Sequence, residues 1–263
     1  MPEVRLDNAI VLRGLVESRT KAKRRLAAGD VVVNGVVTSK PSMLVKESDT
    51  IEVQGGVDPV GRGALKLAPA LDQWGIDPHS RTCLDLGAST GGFTEVLLGL
   101  GAQQVVALDV GRDQLHPRIA KDPRVLQRDG VNAKELTVAV WAEIGVDNVS
   151  LVVADLSFIS LTQIISPVVS AVGLCDWVCL IKPQFEVGRE RISEGIAKQA
   201  DSHDKAILAV LAHARESGLH SAGIMRSPIT GEAGNTEYLC WLSPTERGNQ
   251  TQWSLDIHTL THS

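Results

Sequence analysis

The chain has 263 residues, 43% of them apolar, with four cysteines and a formal net charge of −5. That is enough apolar material for one large domain or a large domain plus a small one, and it excludes a disordered chain. Cys83, Cys175, Cys179 and Cys240 lie in or beside apolar runs without metal-type pairing, which fits reduced, buried thiols in a cytoplasmic protein and not a disulfide framework.

The first residues, MPEVRLDNAIV, lack a basic stretch followed by an apolar one, so no signal peptide is expected. The long apolar candidate, Ile164 to Ile181, contains Pro167, Gly173 and Asp176 and reads as a helix followed by a buried strand, not as a membrane span. Charge is unevenly placed: residues 1 to 66 carry 11 Lys/Arg against 8 Asp/Glu, and the remainder carries 15 against 23. An anionic partner is therefore expected at the N-terminal end.

In chain order, residues 6 to 16 place Leu6, Ile10 and Leu15 at near-helical spacing. Ser18 is a suitable N-cap for a second helix, Arg19 to Ala28, with Ala22 and Leu26 inward and Gly29 as its end. The run 31 to 37, VVVNGVV, predicts a hairpin, because Asn34-Gly35 suits the positive φ angles of a type I′ turn. A strand from Thr50 to Val53 closes a small α+β domain over residues 1 to 55, and residues 56 to 63 read as a linker. Arg19, Lys21, Lys23, Arg24 and Arg25 are five bases in seven residues with no acid among them, a dense positive field for an RNA backbone; Arg5 and Arg62 join them as candidate RNA contacts. The run SRTKAKRRLAAGDVVVNGVV is similar to the αL RNA-binding domain first known from a small-subunit ribosomal protein.

From residue 64 to 263 strands and helices alternate. Strands are expected at 82–86, 104–109, 124–127, 149–154, 176–181, 220–225 and 236–242, and helices near 64–74, 91–100, 112–120, 160–172 and 203–217. Strands apolar on both faces predict a seven-stranded, mostly parallel sheet sandwiched by helices, an α/β fold of Rossmann-like type. Ligands of such sheets sit beyond the carboxyl ends of the strands. There stands TCLDLGASTGGF, residues 82 to 93, a strand spilling into a glycine-rich turn. A dinucleotide fingerprint would need a second glycine where Ser89 stands, so a nicotinamide cofactor is disfavoured.

Asp85, the turn residues Gly87, Ser89, Gly91, Gly92 and Phe93, and Asp109 at the end of the second strand resemble the S-adenosylmethionine site of the class I methyltransferases. In that reading Asp109 accepts the ribose hydroxyls of the cofactor and Asp85 helps hold its amino group. The motifs DLGASTGGFTEVLL, VVADLSFISL, LIKPQFEVG and SPITGEAGNTEYL, with the N-terminal module, resemble the TlyA-type hemolysin/ribosomal RNA methyltransferase family, whose catalytic domain is similar to the FtsJ-like enzymes. The resemblance implies S-adenosylmethionine as cofactor, ribosomal RNA or ribosomal subunits as partner, and transfer of a methyl group to a ribose 2′-hydroxyl.

The residues bear on the acceptor atom as well. Asp155 is followed by Leu156-Ser157-Phe158 and not by the prolines of an amino-methylating loop, and no cysteine is placed as a pyrimidine-attacking thiolate, which leaves oxygen. A ribose hydroxyl needs a base or strong polarisation. Asp155 and Lys182 follow strands and Glu237 lies in the final strand, next to the expected cofactor edge, while Lys66 opens the first helix; the four are similar to the Lys-Asp-Lys-Glu tetrad of ribose methyltransferases. Lys182 is then the base, or else both lysines stay charged and orient the hydroxyl. Phe185 is placed either to stack on one flipped nucleotide or to pack in the core, and the loop 188–199 is expected to move and to bear on substrate preference. The seven histidines show no metal spacing, so no metal is expected. The family's name raises a second reading, a membrane-lytic protein, and a third is an RNA-binding protein without activity.

Overall fold

A computed structural model describes residues 3–16, 18–54, 59–187, 200–231, 234–247 and 250–262. Residues 56–58 of the expected linker and the loop 188–199 lie outside them. The chain divides into two compact units, Met1–Asp58 and Pro59–Ser263.

In the first unit, α1 (Leu6–Leu12) is shorter than expected, and Leu15 is 39% exposed instead of buried. Gly14, at φ +69, turns the chain away before Leu15 can continue the helical face. The second helix, α2 (Arg19–Ala28), begins where Ser18 accepts a hydrogen bond from the Lys21 backbone N–H and ends at left-handed Gly29. Strands β2 (Val31–Val33) and β3 (Val36–Val37) form the hairpin, with Asn34 at φ +50 and Gly35 at φ +80 as type I′ demands. The Asn34 side chain also accepts from the Thr50 N–H and donates to Asp49, tying the turn to β5 (Ile51–Val53), which pairs with β2. A small sheet not expected from the sequence joins β1 (Val4–Arg5) to β4 (Leu44–Val45). Leu6, Ile10, Ala22, Leu26, Val31, Val33 and Ile51 make the core.

The second unit is built on seven strands: β6 (Thr82–Leu86), β7 (Gln104–Asp109), β8 (Val125–Asp129), β9 (Val149–Ala154), β10 (Asp176–Ile181), β11 (His220–Arg226) and β12 (Tyr238–Ser243). Their order is β11-β12-β10-β9-β6-β7-β8; β12 runs antiparallel to both its neighbours and the other pairings are parallel. The order reverses between β6 and β9, and a crevice opens at such a reversal beyond the strand ends.

Alternation along β6 divides the core. Cys83 faces α3 (Ala64–Trp74) and α4 (Gly92–Gly99), while Leu84 and Leu86 face the opposite layer with α6 (Val138–Ile144), α7 (Ile165–Val172), α9 (Ala200–Glu216) and α10 (Gln250–Thr261). Each fully buried leucine contributes roughly 1.5–3 kcal/mol through burial alone.

Three expected helices differ in extent. Only α5 (Pro117–Ala120) forms within 112–120, because Pro117 sets the first helical position and the His116 ring accepts from the Arg118 N–H. The segment 160–172 is a 3-10 turn, Leu161–Gln163, and then α7; α9 begins at Ala200, before the expected 203. α6 and α10 are additions to the expected set, as is α8 (Pro183–Glu186).

Candidate active site

Four charged side chains meet at the carboxyl edge of the sheet. Asp155 and Lys182 are the first residues after β9 and β10, which are parallel neighbours, so both project at one edge. Because β12 is antiparallel, its start lies where the parallel strands end, and Glu237, one residue ahead of the strand and not within it as expected, arrives there too. Lys66 comes from the first turn of α3, whose Leu67, Ala70 and Leu71 are buried against the sheet. Lys182 Nζ is 2.7 Å from Asp155 Oδ1, and Lys66 Nζ is 2.8 Å from Glu237 Oε2 and 3.5 Å from Asp155 Oδ2. Lys66, Lys182 and Glu237 are 6%, 7% and 3% exposed, so the ion pairs are largely shielded from water. Sequence reasoning missed the partner that completes this set: Ser157 Oγ accepts from Lys182 Nζ at 2.9 Å.

The glycine-rich turn forms the wall beside them. Gly87 (φ +79) and Ser89 (φ +46) hold left-handed backbone, and a Cβ on Gly87 would lie 2.9 Å from the Asp155 carbonyl oxygen. Residues 61 to 63 pack on the same turn: a Cβ at Gly61 would stand 2.5 Å from Thr90 Oγ1, and one at Gly63 would stand 3.0 Å from the Phe93 ring. Together these segments line a cleft of about 640 Å³ that includes Arg62, Lys66, Gly87, Ser89, Gly92, Phe93, Asp155, Lys182, Phe185 and Glu237.

Asp85, Gly91 and Asp109 stand outside that lining. Gly91 packs on Leu115 and Ile119. Both oxygens of Asp109 accept backbone N–H groups, from Ser89 at 2.8 Å and Gly111 at 2.7 Å, so this carboxylate braces the turn. Asp85 is fully buried; Oδ2 accepts from Thr94 Oγ1 at 2.6 Å, while Oδ1 has no hydrogen-bond partner. Burial pushes its carboxyl up to about 7, with Thr94 opposing and the nearby Asp155 and Asp109 adding to the rise. An orphaned buried carboxylate oxygen beneath a strained small-residue turn fits a ligand that brings its own cation.

At the mouth, Phe158 is 91% exposed with φ +66, and its ring centroid lies 5.2 Å from that of Phe185. Lys182 Nζ is 5.9 Å from the Phe185 ring. Phe185 therefore belongs to the cleft and not to the apolar core. Behind Phe185, Glu186 accepts from the Leu161 N–H and Ser160 Oγ, and burial raises its carboxyl above the ordinary range.

The basic segment is partly neutralised within its own unit. Arg5 Nε and Arg19 Nη2 lie 3.1 and 2.8 Å from the buried Asp7 carboxylate, and Arg25 lies 2.9 Å from Asp30. Hydrogen bonding by Arg5 is the main cause that lowers Asp7 to about 2, with Arg19 assisting. Lys23 and Arg24 are exposed on α2, and Lys21 is half-buried. Arg62 is exposed at the cleft and donates to the Thr230 carbonyl.

Residues 59–243 match the FtsJ-like methyltransferase family, and residues 4–51 match the S4 domain. The chain is 43% identical over 242 residues to the 16S/23S rRNA (cytidine-2′-O)-methyltransferase TlyA of Mycobacterium tuberculosis, covering 90% of this chain and 89% of that protein. It is 38% identical to hemolysin A of Brachyspira hyodysenteriae, over 90% of this chain and 98% of that one. Among solved structures, a hemolysin-named protein from Streptococcus thermophilus superimposes with a TM-score of 0.72 at 34% identity, covering 100% of this chain and 96% of that one. Seven strands in this order, a shielded Lys-Asp-Lys-Glu group at their tips and a family match from residue 59 to 243 lead to one conclusion: the chain belongs to the FtsJ-like methyltransferase family and carries an S4 domain ahead of it.

Proposed function

We propose that the protein methylates a ribose 2′-hydroxyl of ribosomal RNA, with S-adenosylmethionine as the methyl donor. The observation that carries this reading is the pair of lysine–carboxylate contacts at one sheet edge, beside a turn whose backbone only small residues permit. On the same reading the chain is organised as an RNA-binding domain over residues 1–55, a linker over 56–63 and a catalytic domain over 64–263.

Gly87, Ser89, Gly92 and Phe93 would hold the donor against the turn, with Asp109 toward its ribose and the orphaned Asp85 Oδ1 toward its ammonium. Bound there, S-adenosylmethionine supplies an electrophilic sulfonium methyl group, whose departure returns an electron pair to sulfur. As the neutral amine, Lys182 Nζ would take the hydroxyl proton as the new carbon–oxygen bond forms; as an ammonium paired with Asp155 it would orient the hydroxyl instead. In the first case the ammonium so formed would stand beside the Asp155 carboxylate oxygen 2.7 Å away, which favours its charge. Asp155 and Ser157 aim Lys182, and Lys66 with Glu237 fixes the sugar or its phosphate. Phe158 and Phe185 offer an aromatic face for the base, a contact that tolerates any base identity. Lys23, Arg24 and Arg62 are exposed cations for the phosphate backbone; Arg5 and Arg19 are exposed as well, and with Arg25 they also contact carboxylates of their own unit.

Among the described residues no helix is long and apolar enough to cross a membrane. The deciding experiment incubates the protein with radiolabelled S-adenosylmethionine and unmodified ribosomal subunits, then maps the labelled nucleotide and the position of its methyl group. Label on a ribose oxygen is the expected result. Label on a base, or none with either subunit, would end this reading.

A further inference from the structure

Helices α9 and α10 lie on the same face of the large sheet, where Ile207, Val210, Ala214 and Ile257 join its core. Clear of that apolar seam, Asp204 of α9 meets His258 and His262 of α10. The two histidines are four residues apart on one helix, so they share a face, and their ring centroids are 3.9 Å apart. Asp204 Oδ2 is 3.2 Å from His258 Nδ1, and one donor atom from each of the three residues lies within 4.8 Å of the others.

The group is braced. Thr261 Oγ1 donates to Asp204 Oδ1, which turns the other carboxylate oxygen toward His258. The His262 ring nitrogen Nδ1 lies 3.0 Å from the His258 carbonyl oxygen, which fixes the second ring. Outer hydrogen bonds of this kind orient ligands before an ion arrives. A separation of 3.2 Å also suits one edge of a tetrahedron whose metal–ligand bonds are about 2.0–2.2 Å.

We propose that Asp204, His258 and His262 form a binding site for a divalent transition-metal ion of the zinc class, with water completing the solvent side. Two imidazole nitrogens and one carboxylate suit zinc, nickel or copper and disfavour magnesium and calcium, which prefer oxygen ligands throughout. The His258 side chain is 64% exposed, so an ion has a direct path in. None of the three residues lines the methyltransferase cleft, and the ion clips the last helix to α9 without entering the reaction. The expectation of no metal spacing overlooked the four-residue interval from His258 to His262, and the third ligand was hidden because Asp204 stands 54 residues before His258.

The test is calorimetric titration of untagged, full-length protein with zinc chloride, alongside melting temperatures with and without zinc. One equivalent of zinc bound per chain and a raised melting temperature are expected, with magnesium chloride giving neither. His262→Gln and Asp204→Asn should each weaken zinc binding by about tenfold or more. His262 is exposed, so the glutamine variant leaves buried packing intact, and methyl transfer by it should equal that of the parent. Absence of saturable zinc binding, or an affinity unchanged in either variant, overturns the site without touching the assignment of the cleft.

Discussion

Lys182 Nζ and Asp155 Oδ1 stand 2.7 Å apart because each residue is the first beyond its strand, and β9 and β10 are parallel neighbours. Strand pairing thus brings the reactive pair to one edge of the sheet, although the register of Ala154 opposite Cys179 leaves Lys182 two residues beyond the position facing Asp155.

This placement makes Lys182 the most informative substitution. Lys182→Ala removes both the amine and its contacts with Asp155 and Ser157, and kcat should fall by about 10²–10⁴-fold. Lys182→Arg keeps the charge and the hydrogen bonds but cannot give up its proton at working pH. A loss as deep as that of alanine identifies Lys182 as the proton acceptor. Activity within about tenfold of the parent would assign it to orienting the hydroxyl instead.

Lys66 and Glu237 are coupled through burial. Glu237 is 3% exposed, so Lys66→Met leaves its carboxylate shielded from water with its nearest cation gone. Breaking such a pair costs about 3–5 kcal/mol, whereas removing both charges costs much less. Urea unfolding should therefore show the Lys66→Met/Glu237→Gln double variant more stable than Lys66→Met alone. Additive losses would mean that the pair is solvated and weakly coupled.

The fold was legible where backbone chemistry is local. Asn34-Gly35 announced a hairpin because few residue pairs accept two positive φ angles, and continuous apolar runs announced the strands at 82–86, 104–109, 149–154 and 176–181. α6 escaped because VAVWAEI is rich in β-branched and aromatic residues, although Thr137 and Gly145 cap it as helix ends should. At the site, Asp155 and Lys182 were readable from their positions after strands, and Lys66 and Glu237 joined them only through the resemblance to the ribose methyltransferase tetrad; Ser157 was not readable, since only folding decides that its hydroxyl turns to Lys182. The basic run shows the same limit. Arg19 and Arg25 sit among bases in sequence, yet one meets Asp7 and the other Asp30 in space.

The exposed bases at the middle of α2 provide a separate test. Lys23 and Arg24 are exposed on α2, so the double reversal Lys23→Glu/Arg24→Glu should weaken ribosomal RNA binding. The slope of log affinity against log salt should become shallower by about 0.7–0.9 for each phosphate that the variant no longer neutralises. Affinity for S-adenosylmethionine should not change. An unaltered salt slope would move RNA recognition to another surface. Asp7→Ala, in contrast, should lower stability of the N-terminal unit, because Arg5 and Arg19 lose the buried carboxylate they share. Asp7 is held down at about 2, so its stabilisation is complete above the ordinary carboxylate range and is lost as pH falls through about 2.

Asp85 behaves in the opposite sense. Its carboxyl is raised to about 7 in the folded chain by burial, against an ordinary value of 3.8. The unfolded chain therefore gives up this proton earlier as pH rises, and folding retains it. Stability from this group is fully present below 3.8 and is lost as pH rises through about 7. Within that window the loss is about 1.4 kcal/mol per pH unit. Asp85→Asn cannot ionise, so the difference in unfolding free energy between parent and variant, measured from pH 4 to pH 8, should fall along that slope and then level off. The same ionisation bears on the cleft: a bound cation facing Oδ1 would favour the carboxylate, so S-adenosylmethionine should release part of a proton on binding near neutral pH. Calorimetry in buffers of different ionisation enthalpy reads that release directly. A heat of binding independent of buffer, together with a flat stability difference, would mean that Asp85 is already charged in the fold and that its orphaned oxygen has found water.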